Sequence, residues 1–246
     1  MNILEQTGSY VLLMRQVLSR PDRHSLFFRQ LVNEIQKVGF DSLGIVAIIS
    51  VFMGMVVTIQ TAYNIDSPLI PLSMVGFTAR QSVILEFSPT IISLILAGKV
   101  GSSVASEIGS MRVTEQIDAL EVMGINSANF LILPKVVAAI FFFPVLIIFS
   151  IGLSLLGGYF VALFTSLYTP GDYVTGLLFA FDGFTVFYAL IKTVVFAFLI
   201  TSVSAFQGYN IRGGALEVGR SSTTAVVRSS ILIILFNLIL TQLLLT

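Results

Sequence analysis

The sequence predicts an all-α integral membrane protein: an amphipathic N-terminal helix in the interface, about five membrane-spanning helices, and one short charged helix between the second and third spans. Three observations predict it. Of the 246 residues, 56% are hydrophobic and 11% charged, well away from the balance of a soluble domain. The apolar residues gather in runs of about 20, the length that crosses a hydrocarbon core of roughly 30 Å as a helix. The charges gather between those runs, above all in SEIGSMRVTEQIDALEVMGI, residues 106–125.

The elements follow in chain order. Phe28, Leu31, Val32, Ile35 and Val38 recur at helical spacing with Arg29, Asn33, Glu34 and Lys37 between them, the pattern of a helix lying in the interface rather than crossing it. The spans are read at residues 42–62, 84–105, 136–163, 184–206 and 226–245. The third is long enough to tilt, to kink at Pro144 or to break near Gly157 and Gly158. Residues 64–81 and 166–183 are semi-polar, with Pro68, Pro71 and Pro170, and read as loops with one short helix each. The domain plan is an N-terminal cytoplasmic or interfacial segment, 1–41, followed by a single transmembrane domain, 42–246.

Basic residues set the orientation, because Lys and Arg are retained on the cytoplasmic side. Arg15, Arg20, Arg23, Arg29 and Lys37 precede the first span, Lys99, Arg112 and Lys135 surround the second-to-third connection, and Arg212, Arg220 and Arg228 surround the fourth-to-fifth. Arg80 and Lys192 fall elsewhere. The N-terminus is therefore expected inside and the C-terminus outside.

Composition also excludes. The 13 basic and 13 acidic residues balance, so no global field points to nucleic acid. The chain has no cysteine and one histidine, His24, which argues against thiolate, zinc and haem sites and leaves no visible catalytic set for a membrane enzyme. The first 25 residues lack the series of a cleaved signal, and the mature chain is expected to begin near Met1. No GxxxxGK[ST] loop is present, so an ATP-driven pump would need its ATPase on another chain. A secondary transporter or channel working alone is the alternative; paired acids along a polar pathway or broken helices in repeated halves would mark it, and neither is evident.

Drawn on one helix from residue 113 at about 100° per residue, Val113, Ile117 and Leu120 share an arc of roughly 60°, and Glu115, Asp118 and Glu121 share a separate arc of roughly 120°. At about 12 residues this amphipathic helix is too short to span. It could be a solvated helix packing its apolar stripe on the bundle, or a docking element. Among intramembrane charges, Lys192 either snorkels to headgroups or places its ammonium in a cavity. Glu86 is either an interfacial acid or a cavity group paired with Lys192 or Arg80. Lys99 and Glu107 flank the end of the second span and position the connection. Gly54, Gly98 and Gly101 permit close helix approach, and Gln60, Tyr63 and Phe52 could line a cavity at a dimer interface.

The segment LAGKVGSSVASEIGSMRVTEQIDALEVMGI (96–125), with LEFSPTI (85–91) before it and GGALEVGRSSTTAVVRSS (213–230) after it, resembles the MlaE-type permease family. These are membrane subunits of ABC transporters that work with MCE proteins to move phospholipids between envelope membranes. The resemblance runs from about residue 28 onward, and the Glu-x-Gly…Thr-Glu-Gln block, beginning at Glu107, is its most specific part. It implies a homodimer in the bacterial inner membrane, an ABC ATPase carrying ATP and Mg on the cytoplasmic side, an MCE-domain protein on the periplasmic side, a small cytoplasmic regulatory subunit and phospholipid as cargo, with no cofactor on this chain. It implies that residues 106–125 are the coupling segment, with Glu107, Val113, Glu115 and Ile117 followed by Asp118, Leu120 and Glu121 meeting the ATPase. It also supports a substrate-binding role for Lys192, and Glu86, Gln60 and Tyr63 are read as candidate substrate-binding residues beside it. In one place the chain departs from the family: an Arg-Glu pair is common before the second span, and here Leu85 precedes Glu86.

Overall fold

The structure is a computed structural model that describes residues 3–19, 24–65 and 70–245; Arg20, Arg23 and Pro68 lie outside the described residues. Among the described residues, five helices are long and apolar enough to cross a membrane: Leu26–Asn64, Ser73–Val113, Ser127–Phe164, Gly183–Tyr209 and Ala215–Leu245. Each contains one expected span. At 1.5 Å per residue they outrun a roughly 30 Å core, so additional turns carry the flanking charges.

The longest helices are jointed. The first joins α2 (His24–Ile35), a π-helical segment π1 (Gln36–Phe40) and α3 (Asp41–Asn64). The second joins α4 (Ser73–Ser82), π2 (Val83–Ile91), α5 (Ile92–Leu96), π3 (Ala97–Gly101) and α6 (Ser102–Val113). An N-terminal helix precedes the spans, as expected. The amphipathic stretch at 28–38 is helical and runs without interruption into the first span, with Phe28 and Val32 exposed and Val38 buried. The short helix expected within 64–81 is likewise the first turns of the second span.

After α7 (Gln116–Val122) comes α8 (Ser127–Phe164), which continues through Pro144, Gly157 and Gly158 without interruption. Close approach explains the glycine: a Cβ at Gly157 would collide with the backbone of Val51, as one at Gly54 would with Ser154, so α3 and α8 meet backbone to backbone. Gly98, by contrast, has open space where a Cβ would go. The chain ends with α9 (Pro170–Leu178), α10 (Gly183–Tyr209) and α11 (Ala215–Leu245). Thr169 caps α9 by accepting from the Asp172 N–H at 3.1 Å, with proline in the first turn, the arrangement favoured at helix starts.

The chain divides into two compact units. The first comprises 1–42, 94–142 and 195–239. It includes a helix that local pattern does not announce, α1 (Ile3–Val17). Leu13, Met14 and Val17 are buried along one face, and Tyr10 on that face donates to Ser202 Oγ at 2.8 Å and meets the Phe206 ring edge-on. The α1 C-terminus is closed from a distance: Asn129 Nδ2 donates to Val17 O at 2.7 Å and Ser19 O at 2.6 Å, and Asn126 Nδ2 donates to Gln16 O at 3.2 Å.

The second unit comprises 43–93, 143–194 and 240–246. Val75, Val161, Ala162, Tyr168 and Tyr173 form one buried cluster, and Val57, Ala79 and Val83 another. Burial pushes the Tyr173 phenol up to about 12, so it remains a donor, to Leu155 O at 3.1 Å.

Candidate functional site

The charged groups of the second unit centre on Lys192 of α10. Its side chain is 0% exposed, and its Nζ lies 2.7 Å from Glu86 Oε1 and 3.2 Å from Leu85 O. The ammonium also lies 4.5 Å from the centre of the Tyr188 ring, close enough for a cation–π attraction. Full burial rules out snorkelling, because a lysine in that state keeps its head in water. Of the two partners considered for Glu86, the structure selects Lys192. Arg80 instead donates to Leu177 O, to Phe179 O at 3.1 Å and to Ala180 O at 3.3 Å, between the Phe77 and Phe181 rings. It caps the end of α9.

Hydroxyls extend the pair. Thr90 Oγ1 donates to Glu86 Oε2 at 3.2 Å, Thr241 Oγ1 donates to Oε1 at 3.2 Å, and Tyr188 OH donates to Thr241 Oγ1 at 2.9 Å. The Glu86 side chain nevertheless stays 42% exposed. The arrangement is an acid presented outward and backed by a buried cation. Gln60 and Tyr63 are exposed on α3 and belong to no part of this network, as does Phe52.

In the first unit a second cluster ties four elements together. Lys135 of α8 lies 2.7 Å from Glu34 and 2.6 Å from Glu107, while Lys37 lies 2.8 Å from Glu107. Glu107 therefore faces lysines of its own chain, which fits a positioning role. Lys99 donates to the backbone carbonyl of Asp41. A cavity of about 420 Å³ opens beside the cluster, lined in part by Gln30, Asp41 and Met111.

The connection after the second span differs from its expected form. The helix expected over 106–125 is two pieces: residues up to Val113 complete α6, Glu115 takes a left-handed φ of 59°, and α7 is 7 residues long. Gly124, at φ 75°, turns the chain out of it. The break resets the helical phase, so the ridge does not point outward as a unit. Ile117 is wholly buried, and Val113 and Leu120 are half-buried.

Two of the acids are engaged within the chain. Asp118 pairs with Arg112 at 2.6 Å, and Glu121 Oε1 accepts from Ser127 and from Tyr209, each at 2.9 Å. The Arg112 guanidinium lies over the Tyr209 ring at 5.8 Å. The large apolar side chains that α7 and its exit present outward are Val122 at 89% exposure and Met123 at 65%, with Glu115 exposed before the helix. Sequence reasoning did not single out Val122, Met123 or Tyr209, and it counted Arg112 only toward orientation. A wheel drawn from residue 116 places Val122 and Met123 opposite Ile117.

Comparison with known proteins agrees with this architecture. Residues 31–243 match the family model described as Permease MlaE. The chain is 34% identical over 241 residues to a probable ABC transporter permease protein of Rickettsia bellii, covering 98% of this chain and 93% of that one. A probable ABC transporter permease protein of Synechocystis is 34% identical over 87% of this chain and 81% of its own. The chloroplastic protein trigalactosyldiacylglycerol 1 of Arabidopsis thaliana is 31% identical over 95% of this chain and 67% of its own. Five long apolar helices, a charged break between the second and third, and a family match over nearly the whole length make this chain a member of the MlaE permease family and an ABC-type permease subunit.

Proposed function

We propose that this permease moves phospholipid between envelope membranes, driven by a separate ATPase chain that carries the ATP and Mg. The observation that carries the substrate reading is the Glu86–Lys192 pair: a half-exposed carboxylate on a wholly buried ammonium inside otherwise apolar spans. Ionisable groups at that depth are costly in lipid and are kept where they meet a polar cargo or pathway. A zwitterionic headgroup offers an ammonium to Glu86 and, where the pair opens, a phosphate to Lys192. The Arabidopsis relative carries the name of a glycerolipid, which supports a lipid cargo. Gln60 and Tyr63 would then lie where a second copy of the chain closes the cavity.

Residues 42–246 act in this reading as one transport domain, placed in a bacterial inner membrane with the N-terminus cytoplasmic and the C-terminus periplasmic. Two copies pair, an MCE-domain protein receives lipid on the periplasmic side, and a small regulatory subunit joins on the cytoplasmic side. The coupling segment meets the ATPase through Glu115, Val122 and Met123 in place of the inward-turned ridge, an apolar tip for a groove.

Purification and transport test the two halves. The ATPase should co-purify with the wild-type chain. It should be lost from Met123→Asp at unchanged membrane yield, because a charge would be taken from water at the contact. The reconstituted complex should move a fluorescent phospholipid between vesicles in an ATP-dependent way. Retention of the ATPase by Met123→Asp would place the grip elsewhere, with residues 211–222 next, and absence of lipid movement by an ATP-hydrolysing complex would refute the cargo.

A further inference from the structure

Beside the Lys135 cluster, the cavity of about 420 Å³ falls within the size range of small-ligand sites, about 300–1,000 Å³. Its walls come from the start of the first membrane-crossing helix, the end of the second and the start of the third. Successive spans run in opposite directions, so those three ends lie at one face of the membrane, where lipid headgroups are. The wall carries both signs of charge, Glu34, Asp41 and Glu107 against Lys37 and Lys135. Both lysines are held on Glu34 and Glu107. Asp41 is exposed, and among the described residues its carboxylate meets no side chain; only its backbone carbonyl is taken, by Lys99. Gln30 Oε1, in the same wall, is buried without a hydrogen-bond partner, a costly state for an acceptor until a donor arrives. Met111, Phe130, Leu131 and Pro134 close the apolar side.

Three acids against two lysines disfavour a plain anion. A bare metal ion is disfavoured too, because Glu34 and Glu107 already carry lysines. The open groups, Asp41 and Gln30, are both acceptors and call for N–H donors. A quaternary ammonium has none and is usually met by an aromatic cage, whereas the one aromatic residue in this wall is Phe130. A primary ammonium donates three hydrogen bonds. Lys37, with its side chain 53% exposed, has N–H groups left for a phosphate beside that ammonium. We propose that this cavity binds the phosphoethanolamine headgroup of a phospholipid in the adjoining leaflet, with the ammonium on Asp41 and Gln30 and the phosphate on Lys37. Free phosphoethanolamine shares that chemistry; the apolar side assigns the site to the lipid, whose glycerol and first acyl carbons it covers. The site shares no residue with the Glu86 network and stands independently of the cargo reading.

The test uses the full chain with its ATPase in lipid nanodiscs. Because the sequence has no cysteine, Asn33→Cys puts a single thiol at an exposed position of the cavity wall. Its reaction with a polar methanethiosulfonate reagent, followed by the mass of the permease chain, reports whether the cavity is filled. Relative to nanodiscs of phosphatidylcholine alone, equal parts phosphatidylcholine and phosphatidylethanolamine should slow the reaction about tenfold, the equivalent of one hydrogen bond to a charged group. Asp41→Asn should abolish the slowing at unchanged membrane yield, Asp41→Glu should keep it, and Gln30→Leu should weaken it. Equal rates in the two lipids, or slowing that survives Asp41→Asn, overturns the proposal. Equal slowing by free phosphoethanolamine in phosphatidylcholine nanodiscs overturns the assignment to a lipid. If Asp41→Asn fails to insert, Gln30→Leu decides: weaker slowing supports the site, and undiminished slowing overturns it. The slowing should persist in Glu86→Gln; its loss there would place the lipid at the Glu86–Lys192 pair instead. A complex that shows the full pattern and moves no phospholipid refutes the cargo reading alone.

Discussion

Lys135 and Lys192 are both buried, and both meet glutamate, yet the two regions around them have opposite designs. Lys135 stands between Glu34 and Glu107, whose side chains are 11% and 27% exposed, and Glu107 takes Lys37 as well. Lys192 has one acid, Glu86, and the remaining partners of that acid include the hydroxyls of Thr90 and Thr241. In the first region the acids are enclosed and the charges cross-link α2, π1, α6 and α8. In the second the cation is enclosed and the acid faces outward. A buried lysine is thus no mark of a binding site by itself; the exposure of its partner separates a clasp from a site.

The sharpest way to break this comparison is to neutralise the clasp. Lys135→Met leaves Glu34 and Glu107 with only the half-exposed Lys37, at 4.0 Å and 2.8 Å, and breaking a buried pair on one side costs about 3–5 kcal/mol. The expected result is a much lower melting temperature and yield in detergent, with transport falling only as the folded protein does. Equal stability to the wild type would show that the cluster cross-links nothing.

Glu86→Gln should have a smaller effect on stability, about 1–2 kcal/mol, because the amide can still accept from Lys192 and the neighbouring hydroxyls. Transport per folded molecule should nevertheless fall roughly tenfold, equivalent to about 1.4 kcal/mol at the barrier. A vesicle assay normalised to folded protein measures it. Should Glu86→Gln reduce stability as much as Lys135→Met while leaving normalised transport intact, the two regions would be alike.

Arg112–Asp118, with side chains 33% and 52% exposed, sets the lower end of the scale. Asp118→Asn should cost less than about 1 kcal/mol, since exposed pairs are weakened by solvent and side-chain entropy. The difference in melting temperature from wild type should shrink further in high salt.

The five spans were legible because long apolar runs survive any local ambiguity, whereas the Glu86–Lys192 pairing was legible only as one alternative, with Arg80 as the other partner, because sequence does not say which cation packs against the acid. Other features left no local mark. Residues 3–17 carry Glu5, Gln6, Arg15 and Gln16 among their apolar positions, and what makes them a packed helix is contact with Ser202 and Phe206 far along the chain. The break before α7 falls at Glu115, a residue type seldom found at positive φ. With neither glycine nor proline at 113–116, a continuous wheel was the natural reading, and its phase was wrong past the break. The π segments are marked in the sequence only at Pro89, whose missing N–H breaks the α-helical pattern around it.

The asparagine closure of α1 has a consequence for the order of events on the ribosome. The last carbonyls of that helix wait for a donor 112 residues downstream. At a synthesis rate of about 5–20 residues per second, the interval is roughly 6–22 s, during which two apolar spans emerge and can enter the membrane. The first helix made is therefore among the last to be secured, and its docking reports that the third span has begun. A chain stalled or truncated before Asn129 would leave α1 unlatched and exposed to proteolysis, a built-in signature of unfinished synthesis.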